Sequence, residues 1–542
     1  MKRRLLSLLL AVTGLSAGYA QQTPSFRLPP KSPASSWGDQ GNGLYINPIL
    51  NADYSDPDVI RVEDKYYMVA SDFHFLGMQV LESDDMVNWR YVSQIYSRFD
   101  FPGWDSNEHY AGGSWAPSIR YHDGKFWVFF CTPDEGLFMS NAPRAEGPWS
   151  PLHLVRQVAK WEDPCPFWDE DGQAYLGRSQ HGAGPIILHK MTPDGTRLLD
   201  DGVEVYRGPV AEGTKIHKWN GYYYISIPEG GVGGGWQTIL RSKDIYGPYE
   251  SRRVLEQGST SVNGPHQGAI VDTPDGKWMF FHFQSDRMLG RVVHLQPMHW
   301  QDDWPVIGVD IDRNGIGEPV LSWEKPVSGG TPYTPRTDDG FDGPGLGLQW
   351  QFNHNPVDPA WSLDEKPGFL TMHALQAATF PKARNTLTQK TMGYIGEITT
   401  ALDLSAMAEG QRCGLGCMGM ENMLLGIRME NGKRILYLSY ETRIPGTKDT
   451  ETRETDLTEI QDNDICLRLS HDYKKEVFQF SYSLDRQHFT PCGGTFYVHF
   501  GNWKGPRAAL FCYNTLKDGG AVSFDWFRYS HDGPGDLVSQ EE

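Results

Sequence analysis

Between residues 45 and 300 the chain repeats one pattern five times: a short slot, a β-prone run, a polar turn and an aromatic-rich run. In the first copy Ser55-Asp56-Pro57-Asp58 leads into Val59-Ile60-Arg61-Val62, turns at Glu63-Asp64-Lys65 and continues as Tyr66-Tyr67-Met68-Val69. Two such runs around a short polar turn specify a β-hairpin. The later copies begin at Trp115-Ala116-Pro117, Asp163-Pro164-Cys165, Glu212-Gly213-Thr214 and His266-Gln267-Gly268. Their spacing of roughly fifty residues is that of propeller blades. A third strand is expected after each hairpin, over 77–83, 136–140, 185–190, 237–242 and 291–295. One hairpin cannot bury its own apolar face, whereas a closed ring of small sheets buries all of them and leaves few edges. The pattern therefore predicts an all-β chain in which residues 45–328 form a five-bladed β-propeller. A β-sandwich with chance self-similarity is the weaker alternative.

The rest of the chain divides around this block. Gly329-Gly330-Thr331-Pro332-Tyr333-Thr334-Pro335 marks a linker over 329–337. Residues 338–532 continue as alternating strands; the runs 423–429 and 434–440 flank Glu430-Asn431-Gly432-Lys433, whose Asn-Gly pair is a hairpin signal. Many such strands in succession predict a β-sandwich domain. At the other end, the basic Met1-Lys2-Arg3-Arg4, an apolar run and Gly18-Tyr19-Ala20 mark residues 1–20 as a secretory signal cut before Gln21. The apolar run is too short to cross a bilayer. The mature chain is expected to be secreted or periplasmic, without membrane insertion. Residues 21–44, rich in Pro, Ser and Gly, are expected to form a loose arm. Seven cysteines are an odd and sparse number, so buried free thiols are the expectation even after export.

Charge narrows the chemistry. Lys and Arg number 49 against 68 Asp and Glu, a formal charge of −19, which argues against nucleic acid as a partner. An acidic chain that is 13% aromatic suits a neutral ligand such as a sugar. No nucleophile elbow, Walker loop, dinucleotide fingerprint or His-Glu-x-x-His zinc motif occurs.

In a propeller the innermost strands converge on the axis, so Asp56, the Trp115–Ala116 pair, Asp163, Glu212 and His266 would share one funnel. Two carboxylates across a pocket are the requirement of glycoside hydrolysis, one donating a proton and the other activating water or attacking carbon. A third carboxylate nearby would raise the acid's pKa by like-charge repulsion. Any one Asp-Pro or Glu-Gly is as well explained by turn chemistry, but three in corresponding slots are not. Trp115 and Phe73 are candidates to stack on a sugar ring, with core packing as the alternative. Arg291 would bind a hydroxyl or a carboxylate, or pair with an acid on the rim. His266 is either a hydrogen-bonded structural residue or the holder of an axial water or cation.

These residues resemble the motifs of glycoside hydrolase family 43. The stretch from Asn47-Pro48-Ile49-Leu50 to Ser55-Asp56-Pro57-Asp58 is similar to the family's opening motif, Trp161-Glu162-Asp163-Pro164 to its second, and Ala211-Glu212-Gly213 followed by Tyr222-Tyr223-Tyr224 to its third. The resemblance implies a five-bladed propeller that inverts configuration, with Asp56 as general base, Glu212 as general acid and Asp163 tuning the acid and orienting substrate. It implies Arg291 and Trp115 as contacts of the terminal sugar and His266 as an axial residue that in some members holds water or calcium. No cofactor is otherwise required. Phe341-Asp342 and the run from Leu348-Gln349-Trp350 to Asn355-Pro356 resemble the concanavalin-like domain of β-xylosidase-type members, whose loops can reach the pocket; the 503–507 region is the candidate here. The expectation is an exo-acting hydrolase of plant cell-wall glycans that releases α-L-arabinofuranose or β-D-xylose. Segments 72–77 and 114–118 lean it towards arabinofuranose by resemblance. A sugar-binding propeller without catalysis and a retaining, fructan-type propeller hydrolase are the rivals.

Overall fold

The computed structural model describes residues 33–534 apart from 107–108, 287, 445, 448, 498–500 and 502. The signal segment, 1–20, and the first part of the arm, 21–32, lie outside the described residues. The described chain is built of strands, with three short 3-10 turns, and no helix among the described residues is long and apolar enough to cross a membrane.

Five antiparallel sheets of four strands follow one another in sequence order. They begin at the strands Ser55–Val62, Trp115–His122, Trp161–Trp168, Lys215–Trp219 and His266–Asp272. Each adds the expected second and third strands, for example Lys65–Ser71 and Gln79–Ser83 in the first sheet. Each also has a fourth strand that the sequence pattern did not announce: Arg90–Gln94, His153–Gln157, Val203–Tyr206, Glu250–Glu256 and Trp304–Ile307. Most of these outer strands are short and half in water, so they lack the apolar alternation that marks a buried strand. Sheets of this size are those of propeller blades.

The leading strands pack on one another: first on second, second on third, third on fourth, and fifth back on first, while the fourth sheet meets the fifth through Tyr222–Glu229. Their interior is polar. Lys215 of the fourth sheet reaches the Pro117 carbonyl at 2.9 Å and Ser118 Oγ at 2.7 Å in the second, with Asp58 of the first at 3.7 Å. Arg120 of the second sheet bridges Asp58 at 2.6 Å and the Cys165 sulfur of the third at 2.9 Å. Groups from sheets that are not sequence neighbours meet here, which places them at the centre of the arrangement.

The described part of the arm is not loose. Gly38–Asp39 pairs with Leu44–Ile46, which pairs in turn with Ser322–Glu324. Trp37 is fully buried, its Nε1 donates to the Asp532 carbonyl at 3.0 Å, and Ser36 Oγ hydrogen-bonds the Asp532 carboxylate. Burying a tryptophan with its N–H satisfied outweighs the flexibility that Pro, Ser and Gly suggest. From residue 351 to 531 two larger sheets, of eight and seven strands, lie in the C-terminal region. The Asn-Gly hairpin joins Met423–Glu430 to Lys433–Arg443, with Asn431 and Gly432 both at positive φ. One apolar cluster runs from Tyr54, Leu289 and Val293 into Met392, Leu415 and Phe527, so the two regions share a core. All seven cysteines are buried and free of disulfides, as expected.

Candidate active site

Four of the five leading strands begin with a break in register, Lys215–Trp219 being the exception, and the backbone step at this level sets the geometry of the site. Asp56, Ala116, Asp163, Gly213 and Gln267 all have positive φ, between 36° and 64°. Asp and Gly tolerate this left-handed step; Ala and Gln bear strain there. Asp56 and Asp163 thus occupy the left-handed position itself. Glu212 and His266 do not share that slot, contrary to the sequence expectation; they stand one residue earlier, level with Ser55, Trp115 and Glu162. The offset turns two sets of side chains, not one, towards a common space.

That space is a cavity of about 320 Å³ lined by Asp56, Phe73, Trp115, Glu162, Asp163, His181, Val210, Glu212, His266, Gln267, Arg291 and Trp503, among others. All seven residues singled out from the sequence therefore line one pocket. Four more polar or aromatic residues were not singled out: Glu162, His181, Gln267 and, beyond its mention in a candidate region, Trp503. Aligning the repeats on the residue before the left-handed step, rather than on the acids, would have found Glu162 as the counterpart of Glu212.

Asp56 is held from both sides. Its Oδ1 accepts from Arg291 NH1 at 2.7 Å, and its Oδ2 accepts from Ser55 Oγ at 2.9 Å and Ser71 Oγ at 2.6 Å. Ser71 also accepts the Ala116 N–H at 2.7 Å, tying the first sheet to the second. Arg291 stacks its guanidinium over Phe283, 4.6 Å from the ring centre. In the third sheet Ser179 repeats the part of Ser71 and donates to Asp163 Oδ2, which also accepts the Gly213 N–H at 2.8 Å. Gln267 Nε2 donates to Asp163 Oδ1 at 2.7 Å. Burial, and then the Glu212 carboxylate, raise the Asp163 pKa to about 6 despite these donors. Glu212 Oε1 lies 2.6 Å from His266 Nε2, while His266 Nδ1 is buried without a partner. Glu162 is pushed up to about 9, by burial first and then by Asp163 and Glu212.

The aromatic walls come from both regions. Trp115 Nε1 donates to the Ala111 carbonyl at 2.7 Å, and its ring meets Trp503 edge-on at 5.6 Å. Phe73 sits at positive φ on a backbone bridge to Ser114, and a Cβ on Gly113 would stand 2.0 Å from the Phe73 carbonyl oxygen, so only glycine fits there. Trp503 is carried by the C-terminal region, on a turn pinned at Gly505, whose N–H donates to Asp53 Oδ2 at 2.9 Å. The other oxygen of Asp53 accepts the Arg291 N–H at 2.8 Å. Nearby, Asp72 pairs with Lys390 and with Arg507 at 3.3 Å, all buried.

Calcium takes six to eight oxygen ligands, and among the described residues the centre of the axis does not supply them. At the centre two cations, Lys215 and Arg120, face one carboxylate, Asp58. At His266 the spare ligand is a ring nitrogen, and the adjacent carboxylate belongs to Glu212.

Residues 45–305 match Glycosyl hydrolases family 43, and residues 338–530 match the Beta xylosidase C-terminal Concanavalin A-like domain. A protein of Xylanibacter ruminicola with the words beta-xylosidase in its name is 57% identical over 481 residues, 89% of this chain and 88% of its own. A Beta-xylosidase of Formosa agariphila is 37% identical over 572 residues, 95% of each chain. Among solved structures, the family 43 BlXynB protein of Bacillus licheniformis superimposes with a TM-score of 0.75 at 26% identity, covering 90% of this chain and 99% of its own. Whole-chain likeness, together with a carboxylate-lined pocket walled by aromatics, makes this chain a member of glycoside hydrolase family 43, an enzyme of glycosidic bonds with a β-xylosidase-type concanavalin-like domain.

Proposed function

We propose that the protein is an exported, inverting exo-glycosidase on a five-bladed propeller that removes terminal β-D-xylose from xylan-type glycans. The observation that carries the reading is the gathering of Asp56, Asp163 and Glu212 in one 320 Å³ pocket between Trp115 and Trp503. That volume is at the small end for ligand sites, suited to one sugar ring rather than a chain in passage. Five successive four-stranded sheets that pack in a closed series support the propeller. The whole-length likeness to two proteins with beta-xylosidase names favours xylose. The segments 72–77 and 114–118 keep α-L-arabinofuranose as the second reading.

In this mechanism the aromatic walls hold the terminal ring. Glu212 donates its proton to the leaving oxygen; in the tautomer with hydrogen on Nε2, His266 grips Oε1 and leaves the other oxygen to carry the proton. Asp56, oriented by Arg291, Ser55 and Ser71, takes a proton from the attacking water. Asp163 does neither: its hydrogen bonds to Ser179, Gly213 and Gln267 fix it beside Glu212, where it orients the substrate.

The test is hydrolysis of an aryl β-D-xyloside and an aryl α-L-arabinofuranoside, with Asp56→Asn as control. Preference for the xyloside, abolished in the control, with α-xylose as the first product by proton NMR, is expected. β-Xylose first would install the retaining mechanism, and silence on both substrates would favour a binding module. Export is checked by N-terminal sequencing of protein recovered outside the cytoplasm, which should begin at Gln21.

A further inference from the structure

The mechanism above uses two residues of a cluster of three. Oxygens of Glu162, Asp163 and Glu212 all lie within 4.8 Å of one another. Glu162 comes from the same strand as Asp163, one step before it, in the register that Glu212 holds in the next sheet. Its Oε2 lies 3.3 Å from His181 Nδ1. Its Oε1 is buried, and the Ala183 backbone N–H lies within reach of the carboxyl group. His181 packs in turn against Trp115 at 5.2 Å and Trp503 at 6.2 Å, so the pair belongs to the wall that faces the sugar.

A largely buried carboxyl group in the lining of a pocket, its side chain 12% exposed, fits a group that is completed by its ligand. We propose that Glu162 recognises the terminal sugar, donating its carboxyl proton in a hydrogen bond to one hydroxyl oxygen of the ring, and so determines specificity. The proton is there to give because the neighbours leave no room for a further negative charge. Burial disfavours the charged form first and the adjoining Asp163 next, Asp56 adds to the same field, and His181 stands beside Oε2. A neutral carboxyl group is a donor where an ionised one is only an acceptor. A site built to hydrogen-bond a hydroxyl strongly rejects ligands that lack it, because its own polar group is then stranded. The inference rests on the glycosidase reading above.

The experiment compares kcat/KM of the wild type, Glu162→Gln and Glu162→Leu on the aryl glycoside that the wild type cleaves and on its mono-deoxy analogues, one per ring hydroxyl. Glu162→Leu should lose about a hundredfold on the parent substrate and nothing further on the one analogue missing the bonded hydroxyl. Glu162→Gln, which keeps an N–H donor and the side-chain shape, should stay within about tenfold on the parent. Equal losses on the parent and on every analogue would overturn the proposal and leave Glu162 a structural acid. Retention of full activity by Glu162→Leu would overturn it as well. A wild type inactive on both xyloside and arabinofuranoside would refute the glycosidase reading itself, a result distinct from uniform losses in an active enzyme.

Discussion

Loss of water and a neighbouring carboxylate act together on Glu162 and Asp163, and both raise the pKa. Native Glu162 keeps its proton from its ordinary 4.5 up to about 9, whereas the unfolded chain releases it near 4.5. Between those values the native state binds more protons, so its contribution to stability is full in acid and is lost as pH rises towards 9. Glu162→Gln removes this term. Thermal unfolding across pH 5 to 9 should show a flatter profile in the variant, with the variant gaining on the wild type at the alkaline end. Glu212→Gln tests a different property of the same cluster. Turnover should fall by about a hundredfold to ten-thousandfold on natural oligosaccharides, whose leaving groups need a proton, and much less on activated aryl glycosides. Steady-state kinetics on the two substrate types decides it, and equal losses on both would remove Glu212 from the acid role. Asp56, Asp163 and Glu212 were legible because an acid recurs before three of the five β-prone runs. Glu162 was not, because the decisive feature is the left-handed backbone step at Asp163, and a dihedral angle is not written in residue types.

At the scale of elements, the turn bearing Trp503 matters most. Asp53 fastens it to the propeller side through Gly505 and, with its other oxygen, holds the backbone of Arg291, which holds Asp56. One buried carboxylate therefore positions both a wall and the partner of the base. Trp503→Ala should raise KM by about tenfold with little change in kcat, the sign of lost binding shared by ground and transition states. Asp53→Ala should do more: stranding two buried N–H groups costs about 1–3 kcal/mol each, read as a lower unfolding midpoint, and kcat should fall as Arg291 loosens. Hairpins and third strands were readable from periodicity, since their apolar faces are buried. The fourth strands were not, because water on one side removes the pattern. The 503–507 region stood out only by resemblance; a contact between positions some four hundred and fifty residues apart has no local signature.

Over the whole molecule, the division into a propeller and a sandwich is one of sequence more than of energy. The apolar cluster from Leu289 and Val293 to Met392 and Phe527 crosses the boundary, and so does the buried set of Asp72, Lys390 and Arg507. A chain ended at residue 328 should lack activity and expose that shared surface, and the intact protein should unfold in a single calorimetric transition; two separate transitions would show the regions to be independent. A second consequence concerns time. Trp37 lodges against His531 and Asp532, with Ser36 bonded to the same aspartate. Ser36 and Trp37 gain these partners only once His531 and Asp532 have been made. Closure of the fold is thus a join between positions 495 residues apart, and a ribosome that stalls between them releases a chain whose Trp37 lacks the His531 ring and the Asp532 carbonyl.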